Sequence, residues 1–251
     1  MKVFVINLAR STERRASMEQ QLSRLNLDYE IVEAVDGSQL SYTDIMRETR
    51  PLNYALSCGE VGCALSHINV YRRIASEAIP MALILEDDAL LNCESVVVMS
   101  EIEKRNIQPP TVTLLTEISQ YIDSPTSSLS ERRNIYDVLE ASRSHGYIIN
   151  QSAAKKLIEF LYPVWMVADR WQTLREYSVC NLEAVIPPVI KRSEHSETST
   201  IQIYDNGSKW LDDKKTALWE EIKKDRPLKI KLKRCLWTSL VRPFLKVKKL
   251  S

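Results

Sequence analysis

Apolar residues in this chain gather in short unbroken runs, and the segments between them carry apolar positions at helical spacing. Val3 to Leu8, Tyr29 to Val35, Met81 to Leu85, Thr111 to Thr116, His145 to Asn150 and Val179 to Ile186 each read as strands. A continuous apolar run of that length fits a strand buried on both faces of a sheet. Between the first two, Met18, Leu22 and Leu25 recur at i, i+4 and i+7, predicting a helix from Ser11 or Thr12 to about Asn26. Val61, Leu65 and Ile68 do the same within a helix from Gly59 to about Glu77, and Glu94 to Asn106 and Gln151 to Leu161 read as two more. Strand, helix and strand in succession imply a right-handed βαβ unit. The whole predicts an α/β fold with a mostly parallel central sheet over residues 1–208. Ser119 to Asn134, rich in serine, reads as a mobile loop over a site.

One run ends unusually. MALIL, residues 81–85, passes directly into Glu86, Asp87 and Asp88 before the chain turns apolar again. Three carboxylates at the end of a buried strand need neutralising. A hard cation sharing oxygens with a phosphate does this, and so does simple exposure in a solvated turn. Arg10, Arg14 and Arg15 fall just past the first strand, at the edge where open α/β sheets bind ligands. They suit a diphosphate, or a solvated basic helix face. Gly59 and Gly62 open a helix whose dipole favours an anion. His67 within it is either a ligand contact or a structural histidine. Asp169, between Met166-Val167-Ala168 and Trp171, occupies a sheltered place suited to a base with a raised pKa, or to a structural ion pair with an arginine.

Composition narrows the class. At 251 residues, 44% hydrophobic and 27% charged, the chain matches an ordinary soluble domain. No apolar run reaches membrane-span length, and the N-terminal run is too short for a secretory signal, so a cytoplasmic location is expected. Five scattered cysteines without paired spacing suggest reduced, mostly packed thiols. The net charge of +1 hides a division: Met1 to Ile222 carries −9, and Lys223 to Ser251 carries +10. Residues 209–251 read as a helical basic tail, with Leu232, Leu236, Leu240 and Phe244 at four-residue intervals. Such a segment suits an anionic membrane surface. The body shows no nucleic-acid motif, so no nucleic-acid partner is expected.

Taken in order, VFVINLARSTERR (3–15), GEVGCALSHINVYRRI (59–74), ALILEDDALL (82–91), HGYIINQSAAKKLI (145–158) and the Asp169 segment resemble glycosyltransferase family 25. The resemblance implies a GT-A-like fold, a nucleotide-sugar donor (UDP-galactose foremost), a divalent metal (Mn²⁺, or Mg²⁺) and inversion at the anomeric carbon. It places Asp88 on the metal, with Glu86 and His195 as further ligands, and Asp169 as catalytic base. Asn7, Arg10, Arg14, Gly59, Glu60, His67, Glu86 and Asp87 fall to the donor. The first acid of the triplet is Glu where the family's element has Asp, leaving open which acids reach a metal. The basic tail resembles the bacterial, lipooligosaccharide-modifying branch more than the collagen-modifying one. The acceptor expected is therefore a glycolipid at the inner face of a bacterial inner membrane. Two rivals remain: a nucleotidyltransferase making the activated sugar, disfavoured by the lack of any glycine before Gly37, and a non-catalytic membrane adaptor on the same fold.

Overall fold

The computed structural model describes residues 1–130, 132–193 and 209–250. The chain opens with β1 (Lys2–Asn7), α1 (Thr12–Arg24), β2 (Tyr29–Glu33), α2 (Tyr42–Glu48), α3 (Cys58–Ser76) and β3 (Met81–Glu86). There follow β4 (Ala89–Leu90), α4 (Cys93–Lys104), β5 (Thr111–Leu114), β6 (Gln120–Ser128), β7 (Asn134–Glu140), β8 (Gly146–Asn150) and α5 (Gln151–Leu161). Then come α6 (Trp171–Glu176), β9 (Asn181–Ile186), β10 (Lys191–Arg192), α7 (Lys209–Lys224), α8 (Leu228–Leu236) and β11 (Val247–Lys249).

Nine of these strands form one sheet in the order β11-β6-β7-β9-β5-β8-β3-β1-β2. β1 pairs in parallel with β2 and β3, and β5 with β9. The remaining pairings are antiparallel. Followed across the sheet, β1, β2, β3, β5, β6 and β9 point one way and β7, β8 and β11 the other. The fold is thus α/β around a large sheet whose strands run mostly in one direction.

Strand alternation explains why the apolar runs are unbroken. Phe4, Ile6, Ala82 and Ile84 enter the core on one face, with α3 and α5. Val3, Val5, Leu83 and Leu85 enter the core on the other, with Met18 and Leu22 of α1 and Val98, Met99 and Ile102 of α4. Successive side chains point to opposite faces, so a strand covered on both sides must be apolar at every position.

One expectation fails here. Gln120 to Ser128 is a strand, not a mobile loop, and with β7 it forms an antiparallel hairpin. Its hold is tertiary: Tyr121 is buried and packs edge-on against Tyr136, ring centroids 4.9 Å apart. Pro125 is accommodated at one of several register shifts, beyond the stretch that β11 pairs. The thiols also differ from expectation. All five cysteines are free, but Cys58, Cys93 and Cys235 are exposed.

The C-terminal segment is helical over most of its length and is stitched to the body at several places. Ile222 of α7 is buried beside Trp165, Met166 and Trp219, and Arg226 pairs with Glu176 at 3.0 Å. At the far end β11 adds an edge strand to β6 through Val247, Lys248 and Lys249. No described helix is long and apolar enough to cross a membrane.

Candidate functional site

The carboxyl ends of β1, β2 and β3, the start of β8 and the turn before α6 meet around a cleft of about 700 Å³. Open α/β sheets bind ligands at this edge, and the volume is that of a small-molecule site. Two glycines shape its wall. A Cβ on Gly37 would lie 1.9 Å from the Cys58 carbonyl oxygen, and one on Gly62 2.6 Å from that of Val35. Only glycine lets the start of α3 close on the loop after β2, and that closure brings Asp36 and Ser38 to the cleft beside Cys58 and Gly59.

Each acid of the triplet has its own arrangement. Asp87 accepts from Asn7 Nδ2 and from Arg14 Nη1, both at 2.8 Å. Burial nevertheless outweighs these partners and raises its pKa. Asp88 is buried; its Oδ2 accepts from Arg192 Nε at 2.8 Å, while its buried Oδ1 has no hydrogen-bond partner among the described residues. Glu86 accepts from the Ser144 hydroxyl and faces His67 Nε2 at 3.4 Å. Burial pushes Glu86 up, but hydrogen bonding and charge from His67, with Ser144, prevail and hold its pKa at about 2. Behind it, His67 Nδ1 meets the Tyr147 hydroxyl at 2.7 Å, which in turn meets that of Tyr71 at 2.7 Å. His67 is thus both a cleft-lining and a structurally tethered histidine.

Asp169 lies across the same cleft. It makes no ion pair with Arg170, which stacks on Tyr54 and Trp219 at 4.9 and 4.4 Å from their ring centroids. Burial, then the charge of Glu86, raises its pKa to about 6. A carboxyl poised there is ionised near neutrality and still basic enough to take a proton.

Arg10, Arg14, Gly59, Glu60, His67, Glu86, Asp87, Asp88 and Asp169 all line the cleft. Asn7 stands just beneath it, bonded to Asp87 and to the Ser11 carbonyl. His195 falls outside the described residues. Two expected donor contacts have internal duties. Arg10 pairs with Asp36. Glu60 caps α3, exchanging hydrogen bonds with Ser57, and meets Lys215 of α7 at 2.6 Å. The anion-seeking start of α3 therefore already holds a carboxylate of its own.

Three residues escaped the sequence reading. Arg192 reaches Asp88 across 104 positions, and no local pattern announces such a pair. Ser144 and His145 precede β8 on an unremarkable turn. His145 is buried, its Nε2 has no hydrogen-bond partner among the described residues, and burial lowers its pKa against the pull of Asp88 and Glu86. Its one signal was position, at the head of the HGYIIN strand.

Among the described residues no group of three or more His, Cys, Asp or Glu side chains could hold a metal ion alone. The open Oδ1 of Asp88, with Glu86 nearby in the cleft, still suits a hard cation that completes its shell with phosphate oxygens and water.

A sheet carrying an acid-lined cleft at its carboxyl edge defines an α/β protein of the ligand-binding kind. Comparison with known proteins narrows the class. The model of glycosyltransferase family 25 (LPS biosynthesis protein) matches residues 1–171, and the chain belongs to that family. Procollagen galactosyltransferase 2 of Homo sapiens is 24% identical over 90% of this chain and 41% of its own length. Putative glycosyltransferase R655 of Acanthamoeba polyphaga mimivirus is 31% identical over 63% of this chain and 52% of its own. Procollagen galactosyltransferase 1-A of Xenopus laevis is 27% identical over 62% of this chain and 28% of its own. The chain thus spans about half the length of these relatives or less. Among solved structures, a glycosyltransferase involved in the glycosylation of the major capsid of PBCV-1 overlaps 70% of this chain and 75% of its own. That overlap has a TM-score of 0.39 at 8% identity.

Proposed function

We propose that the chain is an inverting, GT-A-like glycosyltransferase that moves a hexose, galactose from UDP-galactose, onto a core sugar of a lipopolysaccharide-type glycolipid. One observation carries the reading: a single cleft sets three internally partnered acids opposite one sheltered carboxylate, Asp169, that has no ion pair among the described residues. Asp169 takes the proton of the acceptor hydroxyl as its oxygen bonds to the anomeric carbon. The bond from that carbon to the diphosphate breaks, and the electron pair leaves with UDP. Arg10, Arg14 and Arg192 bring positive charge to the same cleft and offset the charge gathering on the diphosphate. A divalent cation, Mn²⁺ or Mg²⁺, held by Asp88 and Glu86 would add Lewis-acid stabilisation of the same leaving group. His67, tethered through Tyr147 to Tyr71, keeps Glu86 ionised.

The family description supports a lipopolysaccharide setting, and the galactosyltransferase relatives support the sugar. We place the protein in the cytoplasm, against the inner face of a bacterial inner membrane, where lipid-linked acceptors stand. The test is transfer from a panel of UDP-sugars, with and without Mn²⁺, to truncated glycolipid acceptors. Galactose transfer lost in chelator supports the reading; transfer of nucleotide rather than sugar replaces it.

A further inference from the structure

The C-terminal helix α8 is docked the wrong way round for a soluble protein. It touches the body through polar and cationic side chains: Lys233 reaches Ser178, Arg234 pairs with Glu176, and Trp237, just past the helix, carries Arg175 4.3 Å from its ring centroid. At about 100° per residue these three positions share one side of the helix, and Leu228, Leu232 and Leu236 fall on the other. No residue of α8 is buried. Leu228 is 82% exposed, Leu232 62%, Leu240 63% and Phe244 85%. Lys229 and Lys231 flank the leucine side, and Leu228 to Leu250 holds eight bases and no acid.

We propose that this outward leucine face, with its flanking bases, seats on an anionic phospholipid surface. Charge complementarity selects that occupant: a segment of +8 is repelled by a second copy of itself and attracted to lipid phosphates. The leucines and Phe244 enter the acyl boundary, where uncovered apolar area is removed from water. A cavity of about 320 Å³ lies behind the helix, between Glu140, Arg175 and Glu176 of the body and Lys233, Arg234 and Arg242 of the segment. Neither Arg175 nor Arg242 has an ion-pair partner among the described residues. The use of such a face rests on the glycolipid acceptor proposed above; its chemistry does not.

The experiment is co-sedimentation of the full chain with vesicles of phosphatidylcholine alone or mixed with phosphatidylglycerol, at low and raised salt. The wild-type chain is expected to pellet with the mixed vesicles only. Lys229→Glu with Lys231→Glu should weaken that binding by about fivefold per lysine or more. Leu232→Ser, Leu236→Ser and Leu240→Ser together should leave low-salt binding and remove, by about tenfold or more, the part that survives salt. Sedimentation velocity and soluble-acceptor turnover accompany each variant. Failure of the wild-type chain to pellet, or a dimer that the leucine variants dissociate, overturns the lipid surface while leaving transferase activity standing. Normal pelleting without transfer overturns the proposed function instead.

Discussion

The cleft and the C-terminal helix concentrate charge in opposite ways. In the cleft, Asp87 is met by Asn7 and Arg14, Asp88 by Arg192, and Glu86 by Ser144 and His67. Those acids are held in place by the chain itself, and what stays open is small and specific: one oxygen of Asp88 and the carboxyl of Asp169. On α8 the body-facing bases Lys233 and Arg234 are partnered, while Leu228, Leu232 and Leu236 on the other side stand exposed. Burying polar groups forces the fold to satisfy them, so an opening left in a buried site marks where a ligand completes it. A surface can leave a whole face unmatched, which marks a broad and forgiving partner.

The largest break in that comparison comes from the acid with the unpartnered oxygen. Asp88→Ala removes the open Oδ1 and strands Arg192, and sugar transfer should be abolished. Mn²⁺-dependent UDP binding, read by calorimetry, should weaken while the circular dichroism spectrum stays unchanged. Full turnover in this variant would take Asp88 out of the metal site.

Next in size is the unpaired carboxylate. Asp169→Asn keeps the shape and removes the proton acceptor, so kcat should fall by about 10²–10⁴ with donor affinity near normal. The pH profile gives the sign. A base works as its carboxylate, so kcat/KM should rise with pH through about 6 and level off above it. That acid limb should be missing from the residual activity of the Asn variant. A loss confined to donor affinity would move Asp169 from proton transfer to donor binding.

What the chain discloses in advance follows the same division. Met81 to Glu86 and Gln151 to Leu161 were legible to the residue or nearly so, because burial on both faces or a capped helical stripe leaves a local pattern. The β6 strand was not. Its serines and Pro125 look like loop, and pairing with β7, the Tyr136 contact and the late-arriving β11 make it a strand. In the site, the acids were visible as residue types but their partners were not, since Arg192 and Ser144 are brought in by folding over 104 and 58 positions. Glu60, expected at the donor, has a local duty as well. Ser57 and Glu60 have the spacing of a capping box, a signal legible in the sequence beside the family resemblance.

Within the C-terminal segment the comparison can be sharpened by stability alone. Ile222 is 4% exposed, packed against Trp165 and Met166. Ile222→Ala should cost about 2–5 kcal/mol, the range for a buried aliphatic truncation. Calorimetry should show this as a drop in Tm of several degrees. A neutral result would mean that α7 does not anchor the segment to the body.

Leu236→Ser is the smallest effect and the sharpest control. Leu236 is 49% exposed, on the side of α8 facing away from Glu176 and Ser178. Its removal takes no packed atoms from the core, so no cavity forms, and the expected change lies within about 0.5 kcal/mol. For a chain of this size, about 1 kcal/mol moves Tm by roughly 2–4 °C, so Leu236→Ser should shift it by less than about 2 °C. Adding phosphatidylglycerol vesicles should separate the two forms, because only the leucine face contributes salt-resistant affinity. A destabilisation approaching that of Ile222→Ala, measured without lipid, would mean that Leu236 is buried in solution. The helix would then be part of the core or of a self-association interface, and the contrast between a cleft closed by its own chain and a face left open for a membrane would fall.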